Sequence, residues 1–214
     1  MQMIHRAALG LALLLAATAA HALTATELVA KNIQARGGGA ALQSVKSLRR
    51  EGRLIVNGGQ FVLELRETKQ RPDSIRTDIS MQGLSQVQAY DGKEGWRIDP
   101  FGGRKDPERM PADDVKEYAE DATIDGVLAD AAAAGSSIEY LGTEDVDGTQ
   151  AHKLKVVRKD GGLQYVYLDP DYFLEIRVES QRIVRGVKRT SVTDYGNYEK
   201  VGGVFWPLSI ESGI

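Results

Sequence analysis

From about Leu48 onward, hydrophobic residues recur at every second position. Phe61, Leu63 and Leu65 alternate with Gln60, Glu64 and Arg66, and Ile75, Thr77, Ile79 and Met81 alternate with Arg76, Asp78 and Ser80. Successive side chains of a strand point to opposite sides, so this period predicts strands with one apolar and one polar face. Turn-forming residues punctuate them: Asn57-Gly58-Gly59, Gln82-Gly83, Asp91-Gly92, Asp147-Gly148, Asp160-Gly161-Gly162 and Asp169-Pro170-Asp171. Further strands are predicted over residues 84–89, 138–146, 152–157, 163–168, 174–178, 187–194 and 204–210. About ten short strands at hairpin intervals imply an antiparallel meander.

Three stretches break the alternation. Thr24-Ala25-Thr26-Glu27 is a capping box that opens a helix with Leu28, Val29 and Ile33 on one side, and Gly37-Gly38-Gly39 ends it. A short turn with Leu42, Val45 and Leu48 follows. Residues 101–111, rich in Gly, Pro and charge, read as a loop. Residues 113–134 carry Val115, Tyr118, Ile124, Val127 and Leu128 at helical spacing, which predicts one or two helices packed across the sheet. The expected fold class is α+β, with residues 23–214 forming one domain.

Residues 1–22 read differently. His5 and Arg6 precede an apolar run over residues 7–20, and Ala20-His21-Ala22 offers small residues at both recognition positions. This is the pattern of a secretory signal cleaved after Ala22, too short for a spanning helix. The 214 residues contain no Cys, so the exported chain would enter an oxidising compartment without disulfides or a lipidated cysteine. With 27 Lys+Arg dispersed against 30 Asp+Glu, no basic stripe marks a nucleic-acid partner.

Catalytic chemistry is scarce. Once residues 1–22 are removed only His152 remains, within a predicted strand, and there is no thiol, so neither a zinc site nor a serine triad is expected. Asp91, Asp99, Asp147, Asp160, Asp169 and Asp171 mostly adjoin Gly or Pro, where they start turns. Asp113, Asp114, Glu117, Glu120 and Asp121 are expected to balance the helix dipole along a solvated face. Gly37-Gly38-Gly39 follows a helix and lacks the Gly-Lys-Ser/Thr ending of a phosphate loop. What remains is a sheet whose apolar face is either packed shut or lines a cavity open to an apolar ligand.

Several segments resemble a known family. Lys69-Gln70-Arg71-Pro72-Asp73-Ser74-Ile75-Arg76 is similar to a Lys-Arg-Pro-x-x-aromatic-Arg strand of LolA-type periplasmic lipoprotein carriers, with Gln70 inserted and Ile75 at the aromatic position. Tyr90-Asp91-Gly92-Lys93-Glu94-Gly95-Trp96 with Ile98-Asp99-Pro100 resembles the family's Asp-Gly-Lys-x-x-Trp turn. Tyr167-Leu168-Asp169-Pro170, Asp194-Tyr195 with Tyr198, and residues 201–207 resemble the broader group of outer-membrane lipoprotein-sorting proteins, to which the match is closer.

That resemblance implies a curved, incomplete (half) β-barrel closed by the N-terminal and mid-chain helices, its apolar face holding acyl chains. It implies a non-enzymatic periplasmic carrier of lipid or lipoprotein towards the outer membrane, without cofactor or metal. An inner-membrane transporter or an outer-membrane acceptor would be its protein partner. The alternative is an envelope sensor that binds a membrane-anchored signalling protein. The candidate ligand-binding residues are Phe61, Leu63, Leu65, Ile75, Ile79 and Trp96 on the strands, with Ile124 and Leu128 on the mid-chain lid. Arg71 would tie that lid or meet the polar end of the cargo.

Overall fold

A computed structural model describes residues 23–159, 161–184 and 186–213; the predicted signal sequence lies outside them, as does Asp160. Helix α1 (Ala25–Ala35) opens on the expected capping box: the Thr24 hydroxyl accepts from the Glu27 amide at 3.2 Å, and the Thr24 amide donates to the Glu27 carboxylate at 2.8 Å. Gly37, at φ +124°, then lets the chain pass so close to the Gly202-Gly203 turn that a Cβ there would collide with the Gly203 carbonyl oxygen. Helix α2 (Gly39–Ser44) follows.

The described residues form twelve strands in two six-stranded antiparallel meanders. Sheet A runs in chain order through β1 (Ser47–Val56), β2 (Phe61–Gln70), β3 (Ser74–Met81), β4 (Leu84–Tyr90), β5 (Gly95–Asp99) and β6 (Arg104–Arg109). Sheet B likewise holds β7 (Ser137–Val146), β8 (Thr149–Val157), β9 (Leu163–Leu168), β10 (Glu175–Val184), β11 (Val187–Val201) and β12 (Val204–Gly213). Between the sheets in sequence lie α3 (Ala112–Glu120) and α4 (Val127–Ala134). The tight turns follow from their residues. Gln82-Gly83, Asp147-Gly148 and Gly202-Gly203 each put two consecutive residues at positive φ, the geometry of a two-residue hairpin whose twist matches its strands.

The structure corrects three expectations. There are twelve strands where about ten were predicted, because β5 and β6 went unseen, and they lie in two sheets. The predicted loop over residues 101–111 contains β6, an edge strand of sheet A that tolerates Pro107 because one side of its backbone has no partner strand. Its side chains are mostly exposed, so no hydrophobic period marks it. The carboxylates of α3 are not a uniformly solvated face: the Glu120 side chain is 10% exposed and meets Arg182 at 2.5 Å and Arg158 at 3.7 Å.

The core sits on sheet B. Leu28 and Val29 of α1, with Leu128 and Ala131 of α4, pack on Leu154, Val156, Val166, Leu168 and Val178. Fully burying each Leu or Val contributes about 1.5–3 kcal/mol. Asn32 is buried among them with its amide donating to the Phe173 carbonyl at 2.9 Å, so its polarity is satisfied. A second cluster joins Leu42, Ile124, Val204 and Trp206. Sheet A differs: among its described residues only Lys69, Ile75 and Gly95 are buried.

Candidate functional site

Strand register decides which side chains can share a site. On sheet A, Leu54 pairs with Leu63, Gly52 with Leu65, Leu65 with Ile79, Lys69 with Ile75, and Met81 with Leu84. Directly opposed residues point to the same side. One face therefore carries Leu54, Phe61, Leu63, Leu65, Ile79, Met81 and Leu84 towards one end, and Leu48, Arg50, Glu67, Lys69, Ile75 and Thr77 towards the other. This is the inner face, since Leu48, Arg50 and Lys69 enclose a cavity of about 170 Å³ together with Tyr195, Tyr198 and Trp206 of sheet B. Its apolar end is half-open to solvent, with Phe61 and Leu84 each 43% exposed.

Of the candidate residues, the structure brings Phe61, Leu63, Leu65, Ile75 and Ile79 onto this one face. Trp96 does not join them. It pairs with Ala89 and Arg109, at the opposite parity to Gly95 and Arg97, and so stands on the outer face under the Arg109 guanidinium. Ile124 and Leu128 are core residues, 4% and 0% exposed. Leu54, Met81 and Leu84 were missed. Their signal lay in the register, which a single strand does not display.

The α3–α4 connection crosses between the sheets and is pinned at several points. Arg71 grips Asp125 with both guanidinium arms, one at 2.8 Å, and donates to the carbonyls of Val45 at 2.8 Å and Leu42 at 3.0 Å. Such fork-to-carboxylate pairing fixes orientation as well as distance. Arg36 donates to the Asp125 carbonyl, and Lys69 donates to the Thr123 carbonyl at 3.3 Å. Burial pushes the Lys69 ammonium below its ordinary range, with Glu67 opposing. In the sequence Lys69 figures only as the start of the resembling segment, with no role given to it, although a charge in step with Leu63 and Leu65 was its visible mark. On the other flank, α3 rests on sheet A: the Tyr118 hydroxyl donates to Thr77 at 2.9 Å, and Arg97 reaches Asp114 at 3.2 Å. Burial raises the Tyr118 phenol to about 12.

Between these helices and sheet B lies a larger cavity of about 630 Å³. Hydroxyl and amide side chains of β9–β12 form its floor, and Asp121 and Asp130 look into it. Burial raises both carboxyls above their ordinary values. Among the described residues no cluster of His, Cys, Asp and Glu could hold a metal ion. His152 bonds the Tyr140 hydroxyl at 2.9 Å and stacks on Phe173. No helix of the described residues is long and apolar enough to cross a membrane.

No known family model matches the sequence, and no curated protein is similar to it. Solved structures are. A LolA superfamily protein from Nitrosomonas europaea superposes with a TM-score of 0.54 at 14% identity, over 89% of this chain and 86% of that one. A domain from Vibrio parahaemolyticus, provisionally named for outer membrane lipoprotein sorting, gives 0.52 at 13% identity, over 87% and 84%. The chain has a LolA-like open β-fold.

Proposed function

We propose that this LolA-like fold serves as a periplasmic carrier that holds acyl chains of a lipid or lipoprotein for transfer towards the outer membrane. One observation carries the reading: the inner face of sheet A gathers Leu54, Leu63, Leu65, Ile79, Met81 and Leu84 side by side and leaves them half-open to solvent. The name of the Vibrio parahaemolyticus domain and the predicted signal over residues 1–22 point the same way. In this reading residues 23–214 act as one unit, and an inner-membrane transporter or outer-membrane acceptor loads or unloads it.

The mechanism is burial, without covalent chemistry or cofactor. Moving a methylene out of water is worth about 0.8 kcal/mol, so partial burial of a 16-carbon chain gives roughly 8–12 kcal/mol before ordering costs. Release needs that grip weakened. The α3–α4 connection, held by Arg71 and Lys69, is the segment whose displacement would open the space between the sheets.

The test is binding of a fluorescent 16-carbon fatty acid. Leu65→Glu and Ile79→Glu, on the inner face, should each weaken binding at least tenfold, while Glu64→Gln on the outer face leaves it intact. Urea unfolding of each variant confirms that it folds. Unchanged binding by folded inner-face variants overturns the reading. A lipid-free protein that instead retains a membrane-anchored signalling partner would support the sensor alternative.

A further inference from the structure

An inner sheet face is normally the most apolar surface of a domain, because it is where burial is gained. Sheet B obeys this on β8, β9 and part of β10, then reverses. Gln164, Ser180, Ser191, Thr193 and Ser212 occupy neighbouring inner positions: Ser180 pairs with Ser191 and Gln164, Val178 with Thr193, and Thr193 with Ser212. The result is a patch of hydroxyls and one amide under the 630 Å³ cavity. Its members bond mainly one another, Gln164 to Ser180 at 3.2 Å and Thr193 to Ser212 at 3.1 Å. A local rule broken this consistently, without a packing gain, marks a functional surface.

We infer that this cavity binds an uncharged, polyhydroxylated headgroup, such as the sugar of a glycosylated lipid. The inference rests on the carrier reading only for where the acyl chains would lie.

The lining selects the chemistry. Paired serine and threonine hydroxyls donate and accept, as sugar hydroxyls do, and so exchange bonds with them readily. Asp121 at the rim adds a carboxylate acceptor suited to a diol. An anionic headgroup is disfavoured because Asp121 and Asp130 both face the space. The cations Arg158, Lys159 and Arg182 line it too, but against the four carboxylates Glu117, Glu120, Asp121 and Asp130, and Arg182 and Arg158 are engaged by Glu120 at 2.5 and 3.7 Å. An acyl chain would take water from these hydroxyls and offer no bond in exchange. The Tyr195 ring supplies an apolar plate for the C–H face of a pyranose. At about 630 Å³ the space falls within the usual range of ligand pockets. It also shares Asp121, Thr123, Val178 and Tyr195 with the smaller cavity that reaches Lys69 on sheet A, so one amphiphile could span both.

Galactosylglycerol, a soluble headgroup with no acyl chain, tests the site directly. Titrated into the isotopically labelled mature chain, it should shift the amide resonances of Ser180, Ser191, Thr193 and Ser212. Thr193→Val and Asp121→Asn should each weaken that binding at least fivefold, while the fatty-acid probe binds as before. The same probe should be displaced at least tenfold better by a galactosyl diacylglycerol than by phosphatidylglycerol with identical chains. Absence of galactosylglycerol binding, or equal displacement by the two lipids, overturns the headgroup site. Galactosylglycerol binding without fatty-acid binding would uphold the site and sink the acyl reading, so the two failures are distinguishable.

Discussion

Single side chains at the centre of this molecule are charged where packing alone would want them apolar. Arg71 is held by one carboxylate and two carbonyls, and its guanidinium ties the α3–α4 connection at Asp125 to the end of α2 at Leu42 and Val45. Asp130 is less well served. Burial and the repulsion of Asp125 push its carboxyl up from 3.8, and the Thr123 hydroxyl, Arg36 and Arg71 only partly offset them. The ionised form is thus disfavoured in the fold relative to the unfolded chain. At pH 7 this lowers stability. As pH falls through the raised pKa the native carboxyl takes up a proton first, and the penalty is gone below 3.8. Asp130→Asn keeps the shape and removes the charge. Its urea midpoint should exceed that of the parent at pH 7, and the gap should close as pH is lowered towards 4. A gap that is constant with pH, or that widens on acidification, would contradict this account.

At the scale of elements, α3 is the part whose seating matters most, because it touches both sheets. It lies on sheet A over Gly95, where a Cβ would come within 2.8 Å of a Val115 methyl and 2.9 Å of the Met110 sulfur. The residue is small because the helix needs the room. Gly95→Ala should therefore cost about 1–3 kcal/mol through overpacking, and amide exchange should speed up in α3 well before it does in α1. The same element explains a limit of sequence reading. Glycine at this point looks like part of the Asp91-Gly92 turn, and only the helix above it gives the position its meaning.

Among the described residues the two meanders share no hydrogen-bonded strand pair, and the helical connection between them in sequence binds to both. Glu120 at the end of α3 is the clearest tie, joining Arg182 of β10 and Arg158, just past the end of β8, while Tyr118 holds sheet A. Glu120→Gln removes the carboxylate that Arg182 and Arg158 share, and leaves Arg182 the longer contact with Glu117. It should cost about 1.5–3 kcal/mol, the worth of hydrogen bonds to charged groups. If the tie joins two otherwise separable halves, unfolding followed by near-ultraviolet and far-ultraviolet dichroism should stop coinciding in the variant, while remaining coincident in the parent. Coincident curves in both would mean that the core contacts of α1, α2 and α4 suffice.

Local chemistry settled a good part of this protein. The Thr24–Glu27 capping box, the Asp91 and Asp169 turns and the period of β2 and β3 depend on residues a few positions apart, and each is found where the sequence puts it. Register made the face of Leu63, Leu65 and Ile79 common to neighbouring strands and set Trp96 on the other side, because one step along a strand reverses every side chain. What the sequence could not show were β6, an exposed edge strand with no period, the division into two sheets, and the cavity between them. Those depend on which strands find partners and on how α3 and α4 cross the gap. They are set by contacts between residues far apart in the chain, such as Arg71 with Asp125 and Glu120 with Arg182, which only the folded molecule brings together.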